Sequence, residues 1–219
     1  MDSLQPVRAV AFDLDGLMFN TEELYNEVGA ELVGRRGHSI DLELLRRMMG
    51  RPSRVALGLM IEWYELSDSV EQLQRETDQV FQGLLHDRLE AMPGLVELLG
   101  ELDRKRIPKA ITTSSRRAYV ETLLEIADLG TEFAFVLTAE DVEQGKPAPE
   151  IYTKAAAQFG VEPSRVMVLE DSEIGCRAAV SANAYTVAVP GAHSAEHEFP
   201  GVAFVADSLA DRRIYERLP

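Results

Sequence analysis

The chain has 219 residues, of which 46% are hydrophobic and 27% charged, which is enough for one packed domain or for a core domain with a smaller companion. The formal net charge of −15 disfavours a polyanionic partner, so we expect no nucleic acid, and the short, charge-interrupted apolar stretches predict no membrane span. Residues 1–8 lack the pattern of a secretory signal, and the single cysteine, Cys176, excludes an internal disulfide, so we expect a cytoplasmic protein.

The first predicted element is a strand over residues 7–12, where the apolar run is continuous, as in a strand covered on both faces. A helix is predicted over 21–33, where leucine and valine recur at helical spacing. Residues 41–90 have no strand pattern and predict several antiparallel helices. Asp68 and Glu71, three residues apart, predict a capping box at the start of the last of these helices.

From residue 92 onward, strand and helix patterns alternate. The predicted strands cover residues 110–113, 133–137, 166–169, 185–189 and 202–205. Such alternation predicts right-handed βαβ units and a parallel sheet. We therefore predict an α/β fold with a Rossmann-like parallel-sheet core, formed by residues 1–17 and 91–219, and an all-helical domain inserted at residues 18–90.

Two carboxylates follow the first predicted strand, in the sequence Asp13-Leu14-Asp15-Gly16. A carboxylate can attack phosphorus and form an acyl phosphate, which replaces one difficult displacement by two easier ones. A second carboxylate nearby can protonate the leaving oxygen and then deprotonate water. Most strings of this kind are turns or calcium-type loops, so the motif predicts phosphoryl transfer only together with others.

Three further motifs end other predicted strands or open a helix. Taken singly, the first is commonly a helix N-cap, the second a solvated lysine and the third an acidic helix start. Their polar residues are Thr113, Ser114, Lys146, Glu170 and Asp171. Because parallel sheets bind ligands beyond the carboxyl ends of their strands, these side chains are expected to meet there. A hydroxyl and an ammonium can hold a phosphate, and paired acids can hold Mg²⁺. The combination predicts phosphoryl transfer.

The order and spacing of these motifs resemble those of the haloacid dehalogenase-like superfamily over nearly the whole chain. The helical insert is similar to the cap domain of the subgroup that contains β-phosphoglucomutase, phosphoglycolate phosphatase and sugar-phosphate phosphatases. Residues 15–22 resemble the opening of pseudouridine-5′-phosphatase-like enzymes, except that Asn20 stands where aspartate is usual. The resemblance implies a nucleophile at Asp13, an acid/base at Asp15 and a phosphate site at Thr113, Ser114 and Lys146. It implies Mg²⁺ as cofactor, with these ligands: Asp13, the backbone oxygen of Asp15, Glu170 and Asp171.

The resemblance leaves two reactions open, and we predict a phosphatase acting on a small phosphorylated metabolite, a sugar or nucleoside phosphate. The alternative is a sugar-phosphate mutase of the β-phosphoglucomutase type, which resembles this chain but carries a histidine at the place of Tyr25. Residues 18–90 contain no lysine to complete the relay of such a mutase. Tyr25, Arg51 and Arg54 are candidate substrate contacts in the helical insert. We expect a monomer or a weak dimer.

A third possibility is a receiver module that stores a phosphoryl group without catalysis. Receivers also carry an acceptor aspartate, acidic residues, a hydroxyl and a lysine on a parallel sheet. They are shorter, however, and have no helical insert after the first strand. A second carboxylate at Asp15 would have no purpose in a module of this kind, so we favour an enzyme.

Overall fold

The computed structural model describes residues 6–48, 53–130 and 132–219, and the chain divides into two compact units. The sheet unit comprises Met1–Asn20 and Glu90–Pro219, and the helical unit comprises Thr21–Leu89. The chain therefore leaves the sheet unit once, after its first strand, and returns to it. Among the described residues, no helix has both the length and the apolar character that a membrane crossing requires.

The sheet unit is built on a parallel sheet, as predicted. Within the described residues its strands are β1 (Ala9–Phe12), β2 (Lys109–Thr112), β3 (Phe135–Leu137), β4 (Val166–Glu170), β5 (Tyr185–Ala188) and β6 (Phe204–Val205). Their order across the sheet is β3-β2-β1-β4-β5-β6, and every neighbouring pair is parallel. All residues of β1, β2 and β4 are buried, which explains why these strands read as continuous runs and not as alternating patterns.

The helical unit contains four helices among its described residues. These are α1 (Thr21–Gly34), α2 (Leu42–Met48), α3 (Ser53–Tyr64) and α4 (Val70–Arg88). Helices α1 and α4 pack on each other, as do α2 and α3. Helix α1 buries an apolar stripe of Leu24, Val28 and Leu32, which confirms the helical periodicity predicted there.

The predicted capping box of α4 is displaced by one residue. The box is formed by Ser69 and Gln72, whose side chains each accept a hydrogen bond from the other residue's backbone N–H. Asp68 does not cap the helix, because its carboxylate binds the guanidinium of Arg36 at 2.6 Å. The prediction of Asp68 and Glu71 was therefore wrong, since the long-range ion pair takes the carboxylate.

The remaining helices surround the sheet. They are α5 (Leu95–Arg104), α6 (Arg117–Ile126), α7 (Glu150–Phe159), α8 (Glu173–Ser181) and α9 (Arg212–Arg217). Alanines of α7 and α8 pack in one buried cluster with Val166 and Val168 of β4, so that small side chains let these helices approach the sheet closely. Gly160 ends α7 in the left-handed conformation, and the side chain of Ser172 caps α8 by accepting from the backbone N–H of Gly175.

Candidate active site

The register of the sheet brings the predicted motifs to one edge. Phe12, the last residue of β1, lies opposite Ile111 of β2 and Leu169 of β4. Asp13, the residue directly after β1, therefore lies between the carboxyl ends of β2 and β4. Its backbone N–H donates to the carbonyl oxygen of Leu169 at 3.0 Å. Parallel strands present their carboxyl ends together, so residues from distant motifs meet beside Asp13.

Lys146 joins the motifs electrostatically. Its Nζ lies 2.5 Å from Oδ1 of Asp13 and 2.6 Å from Oε1 of Glu170, and it donates to the carbonyl oxygen of Thr112 at 3.0 Å. The lysine side chain is almost fully buried, and Glu170 has no exposed surface. The ammonium is thus held between two buried carboxylates.

Burial and charge shift the titration of this cluster in known directions. Burial raises the pKa of Asp13 well above its usual range, against the opposing effect of the Lys146 ammonium. Burial alone would lower the pKa of Lys146, but the charges of Asp13 and Glu170 outweigh it and raise the pKa. Burial also raises the pKa of Asp171, although a hydrogen bond from His193 acts in the opposite direction. Three carboxylates thus face one ammonium, and the site has an excess of negative charge.

The excess negative charge and the donor set fit a hard divalent cation. Asp13, Glu170 and Asp171 each offer one carboxylate oxygen, and these atoms lie within 4.8 Å of one another. Oxygen donors with few protein carboxylates are what Mg²⁺ prefers. A divalent cation would also offset the repulsion between the buried carboxylates.

Glu170 is the most heavily bonded member of this set. Its Oε1 accepts a hydrogen bond from the hydroxyl of Tyr152 at 2.7 Å besides the one from Lys146. Its Oε2 accepts from the backbone N–H of Ser172 at 3.2 Å and from the Ser172 hydroxyl at 3.0 Å. Glu170 therefore also fixes Lys146 and the start of α8, in addition to any contact with a cation.

Asp15 lies at the same sheet edge and is partly buried. Its Oδ2 accepts from the hydroxyl of Ser115 at 2.6 Å, and its Oδ1 accepts from the hydroxyl of Tyr119 at 2.9 Å. Thr113 is buried, and its hydroxyl accepts from the backbone N–H of Ser115 at 3.0 Å. Thr113 thus shapes the turn after β2, and Ser115 holds the carboxylate of Asp15. Ser114, between them, is exposed.

The predicted contacts of the helical insert lie in the helical unit. The ring of Tyr25 stacks on Phe81, with centroids 4.1 Å apart and an angle of 13° between the planes. The guanidinium of Arg54 is exposed and binds Glu71 at 2.5 Å. Arg51 lies outside the described residues.

Four residues of the site were not identified from the sequence: Ser115, Tyr119, Tyr152 and His193. Tyr152 follows Ile151 on the apolar stripe of α7, and a buried tyrosine hydroxyl requires a partner, which is a signal that could have found it. His193 lies in the segment after β5 with its Nε2 2.5 Å from Oδ2 of Asp171. The sequence spacing of His193 gives no signal, because a single short turn after β5 positions it.

Comparison with known proteins gives a consistent result. The family model of the haloacid dehalogenase-like hydrolases matches residues 10–189. A phosphorylated carbohydrates phosphatase from Thermotoga maritima is 34% identical over 80% of this chain and 82% of its own length. A Drosophila melanogaster protein, provisionally named a pseudouridine-5′-phosphatase, is 32% identical over 95% of this chain and 92% of its own.

Solved structures agree in fold. A Thermotoga maritima protein, provisionally named a β-phosphoglucomutase, superimposes with a TM-score of 0.84 and 29% identity, covering 97% of this chain and 100% of that one. The parallel sheet with its acidic edge and the match over residues 10–189 define the class. The chain belongs to the haloacid dehalogenase-like hydrolase family.

Proposed function

We propose that this protein is a Mg²⁺-dependent phosphatase that hydrolyses a small phosphorylated metabolite, a sugar or nucleoside phosphate, through a phospho-aspartate at Asp13. The observation that carries the proposal is the buried contact of Asp13 with Lys146 beside the oxygen donors of Glu170 and Asp171. Two relatives named for phosphorylated carbohydrates and for pseudouridine-5′-phosphate lend support to this substrate class.

The first step transfers the phosphoryl group to the protein. A carboxylate oxygen of Asp13 attacks phosphorus, and the bond between phosphorus and the ester oxygen breaks. Asp15, in its protonated form, donates its proton to the departing oxygen, which leaves as the alcohol. Ser115 and Tyr119 hydrogen-bond the Asp15 carboxylate and hold it in place for this transfer.

The second step releases phosphate. The Asp15 carboxylate takes a proton from water as the water oxygen attacks phosphorus, and the bond between phosphorus and Asp13 breaks. Asp13 is regenerated as a carboxylate, and the product is inorganic phosphate. The same residue thus acts first as an acid and then as a base.

Charge stabilisation comes from residues around the phosphoryl group. Lys146 would neutralise one phosphoryl oxygen, and Thr113 and Ser114 would offer hydroxyl and backbone donors. Bound Mg²⁺ would supply further positive charge to the phosphoryl oxygens. Its proposed ligands are Asp13, the backbone oxygen of Asp15, Glu170 and Asp171.

We assign substrate selection to the helical unit, which would act as a cap domain. Its proposed substrate contacts are Tyr25, Arg51 and Arg54, because arginine is favoured at phosphate sites and aromatic rings pack against sugars and bases. We also propose a cytoplasmic monomer or weak dimer; the single cysteine fits a reducing compartment. Light scattering on the purified protein tests the oligomeric state.

The second candidate is a sugar-phosphate mutase, and the similarity to the provisionally named β-phosphoglucomutase favours it. Phosphorus NMR with a panel of sugar phosphates, nucleotides and phosphoglycolate separates the two reactions. We expect inorganic phosphate in the presence of Mg²⁺, none in excess chelator, and no need for a bisphosphate. Conversion of glucose 1-phosphate to glucose 6-phosphate with little free phosphate would instead identify a mutase.

A further inference from the structure

The segment after β5 places a histidine against the acidic edge of the sheet. Nε2 of His193 lies 2.5 Å from Oδ2 of Asp171, and both side chains are largely buried, with exposed fractions of 12% and 5%. When Asp171 is ionised, as a metal ligand must be, its carboxylate can only accept hydrogen bonds, so Nε2 of His193 donates in this contact. One oxygen of Asp171 is thereby engaged by His193, and the other can face the site.

Two glycines make room for the histidine ring. A Cβ at Gly16 would lie 2.7 Å from Oδ2 of Asp171 and 2.8 Å from Cε1 of His193, closer than such atoms approach. A Cβ at Gly191 would lie 3.0 Å from the same Cε1 atom. The ring therefore fits against the loop that follows Asp13 and Asp15 only because residue 16 has no side chain.

The backbone that presents the ring is fixed as well. Ala192–Ser194 form one turn of 3₁₀ helix, in which the backbone N–H of Ser194 donates to the carbonyl oxygen of Gly191 at 3.1 Å. The hydroxyl of Ser194, which is fully buried, accepts from the backbone N–H of Gly191 at 3.1 Å. The position of His193 is thus set by the turn, the ring contact and the carboxylate together.

We propose that His193 is a positioning residue that orients the Asp171 carboxylate for Mg²⁺, a role that rests on the proposed function. Partners that hydrogen-bond a metal ligand fix its orientation and hold the site in shape before the ion arrives. A carboxylate without such a partner can rotate, and the ion must then restrict that rotation when it binds. His193 itself does not ligate the ion, because Mg²⁺ takes oxygen donors.

The test measures Mg²⁺ binding directly, by calorimetric titration of the metal-stripped protein, and separately the Mg²⁺ dependence of phosphate release. In His193→Ala we expect the Kd for Mg²⁺ to rise about 10- to 100-fold, with a smaller change in kcat at saturating Mg²⁺. His193→Gln keeps an N–H donor of similar reach and should recover much of the affinity. His197→Ala is the matched control, since His197 lies in the same segment but its Nδ1 accepts a hydrogen bond from the backbone N–H of Glu173, at 3.4 Å, and its ring lies beside Phe199.

An unchanged Kd in a folded His193→Ala protein would overturn the inference, as would equal loss in the alanine and glutamine variants. Should His193→Ala not fold, His193→Asn replaces it, because the shorter side chain does not reach Asp171, and the same weakening is expected. If the wild-type protein binds Mg²⁺ but releases no phosphate from any compound of the panel, the proposed function fails. If the wild type releases phosphate but the Kd for Mg²⁺ is unchanged in His193→Ala, only the role of His193 is rejected and the proposed function stands.

Discussion

Lys146 sets the charge balance of the buried cluster. Its ammonium contacts Asp13 at 2.5 Å and Glu170 at 2.6 Å, and none of the three side chains has more than a small exposed fraction. A buried ion pair need not stabilise a protein relative to apolar residues, but removal of one partner leaves an uncompensated buried charge. Lys146 is therefore needed to compensate the charge of the buried carboxylates around it.

The substitution Lys146→Met should lower the free energy of unfolding of the metal-free protein by about 3–5 kcal/mol at neutral pH. Denaturant unfolding followed by circular dichroism measures the change. Lys154→Met is the matched control, because Lys154 is half-exposed and its ammonium binds Glu150 of the same helix and the carbonyl oxygen of Asp141, so its effect should stay within about 1 kcal/mol. Equal stability of the two variants would contradict the account of the buried cluster.

Asp15 has a different environment from Asp13, since two neutral hydroxyl groups hold it. Replacement by asparagine keeps the shape and one acceptor oxygen but removes the ability to exchange a proton, and the amide NH2 must donate where the second carboxylate oxygen accepted. We expect kcat of Asp15→Asn to fall by about 10²- to 10⁴-fold, the range for loss of a general acid/base. A kcat within a factor of a few of the wild type would show that another group transfers the proton.

At the scale of elements, the strands were predictable because burial on both faces leaves a continuous apolar run. The meeting of Asp13, Lys146 and Glu170 was also predictable, since parallel strands end at the same edge. The hydrogen-bond partners were not. Contacts of Asp15 and Asp171 with groups in loops and helix starts depend on backbone geometry that no local pattern encodes.

The start of α4 shows the same limit within one helix. Three adjacent residues, from Ser67 to Ser69, can each act as an N-cap. Asp68 with Glu71 three residues later is as good a local signal as Ser69 with Gln72. Arg36, which lies far away in the chain, binds Asp68 and leaves the cap to Ser69. A contact across the helical unit thus decides the boundary.

The substitution Ser69→Ala should destabilise the protein by about 1 kcal/mol, because the first turn of α4 loses its side-chain acceptor. Ser67→Ala, two residues earlier and outside the helix, is the control and should change stability by less than about 0.5 kcal/mol. Thermal unfolding of both variants measures the difference. If Ser67→Ala proves the more damaging change, the cap has been assigned to the wrong residue.

At the scale of the whole molecule, the excess of buried carboxylates links stability to pH and Mg²⁺. Burial raises the pKa of Asp13 and Asp171 above the value of about 3.9 expected for aspartate in the unfolded chain. A carboxyl group whose pKa is higher in the folded protein stabilises it fully at a pH below the pKa of the unfolded chain. This contribution is lost as the pH rises through the pKa of the folded protein. The metal-free protein should therefore lose stability from this pair as the pH rises above about 4.

If Mg²⁺ binds the ionised carboxylates as proposed, it should restore that stability, with an affinity that increases with pH. At a concentration of about 100 times Kd, we expect a gain of about 2.7 kcal/mol at pH 8, or roughly 5–10 °C in Tm, and a smaller gain at pH 5. Thermal unfolding with Mg²⁺ and with chelator measures the gain. Asp171→Asn should lose most of it, and a gain that is equal at both pH values, or retained in Asp171→Asn, would contradict the assignment of the site.

The central claim is that Asp13 carries the phosphoryl group between the two steps, and mass spectrometry tests it directly. The protein is mixed with Mg²⁺ and an accepted substrate, quenched in acid within the first turnovers and digested. We expect the mass of one phosphoryl group on Asp13 in the wild type, and neither that mass nor phosphate release in Asp13→Asn, whose folding circular dichroism checks and in which Glu170 still pairs with Lys146. Active turnover by Asp13→Asn, or a phosphoryl group on a different residue, would show that the covalent mechanism proposed for this site is wrong.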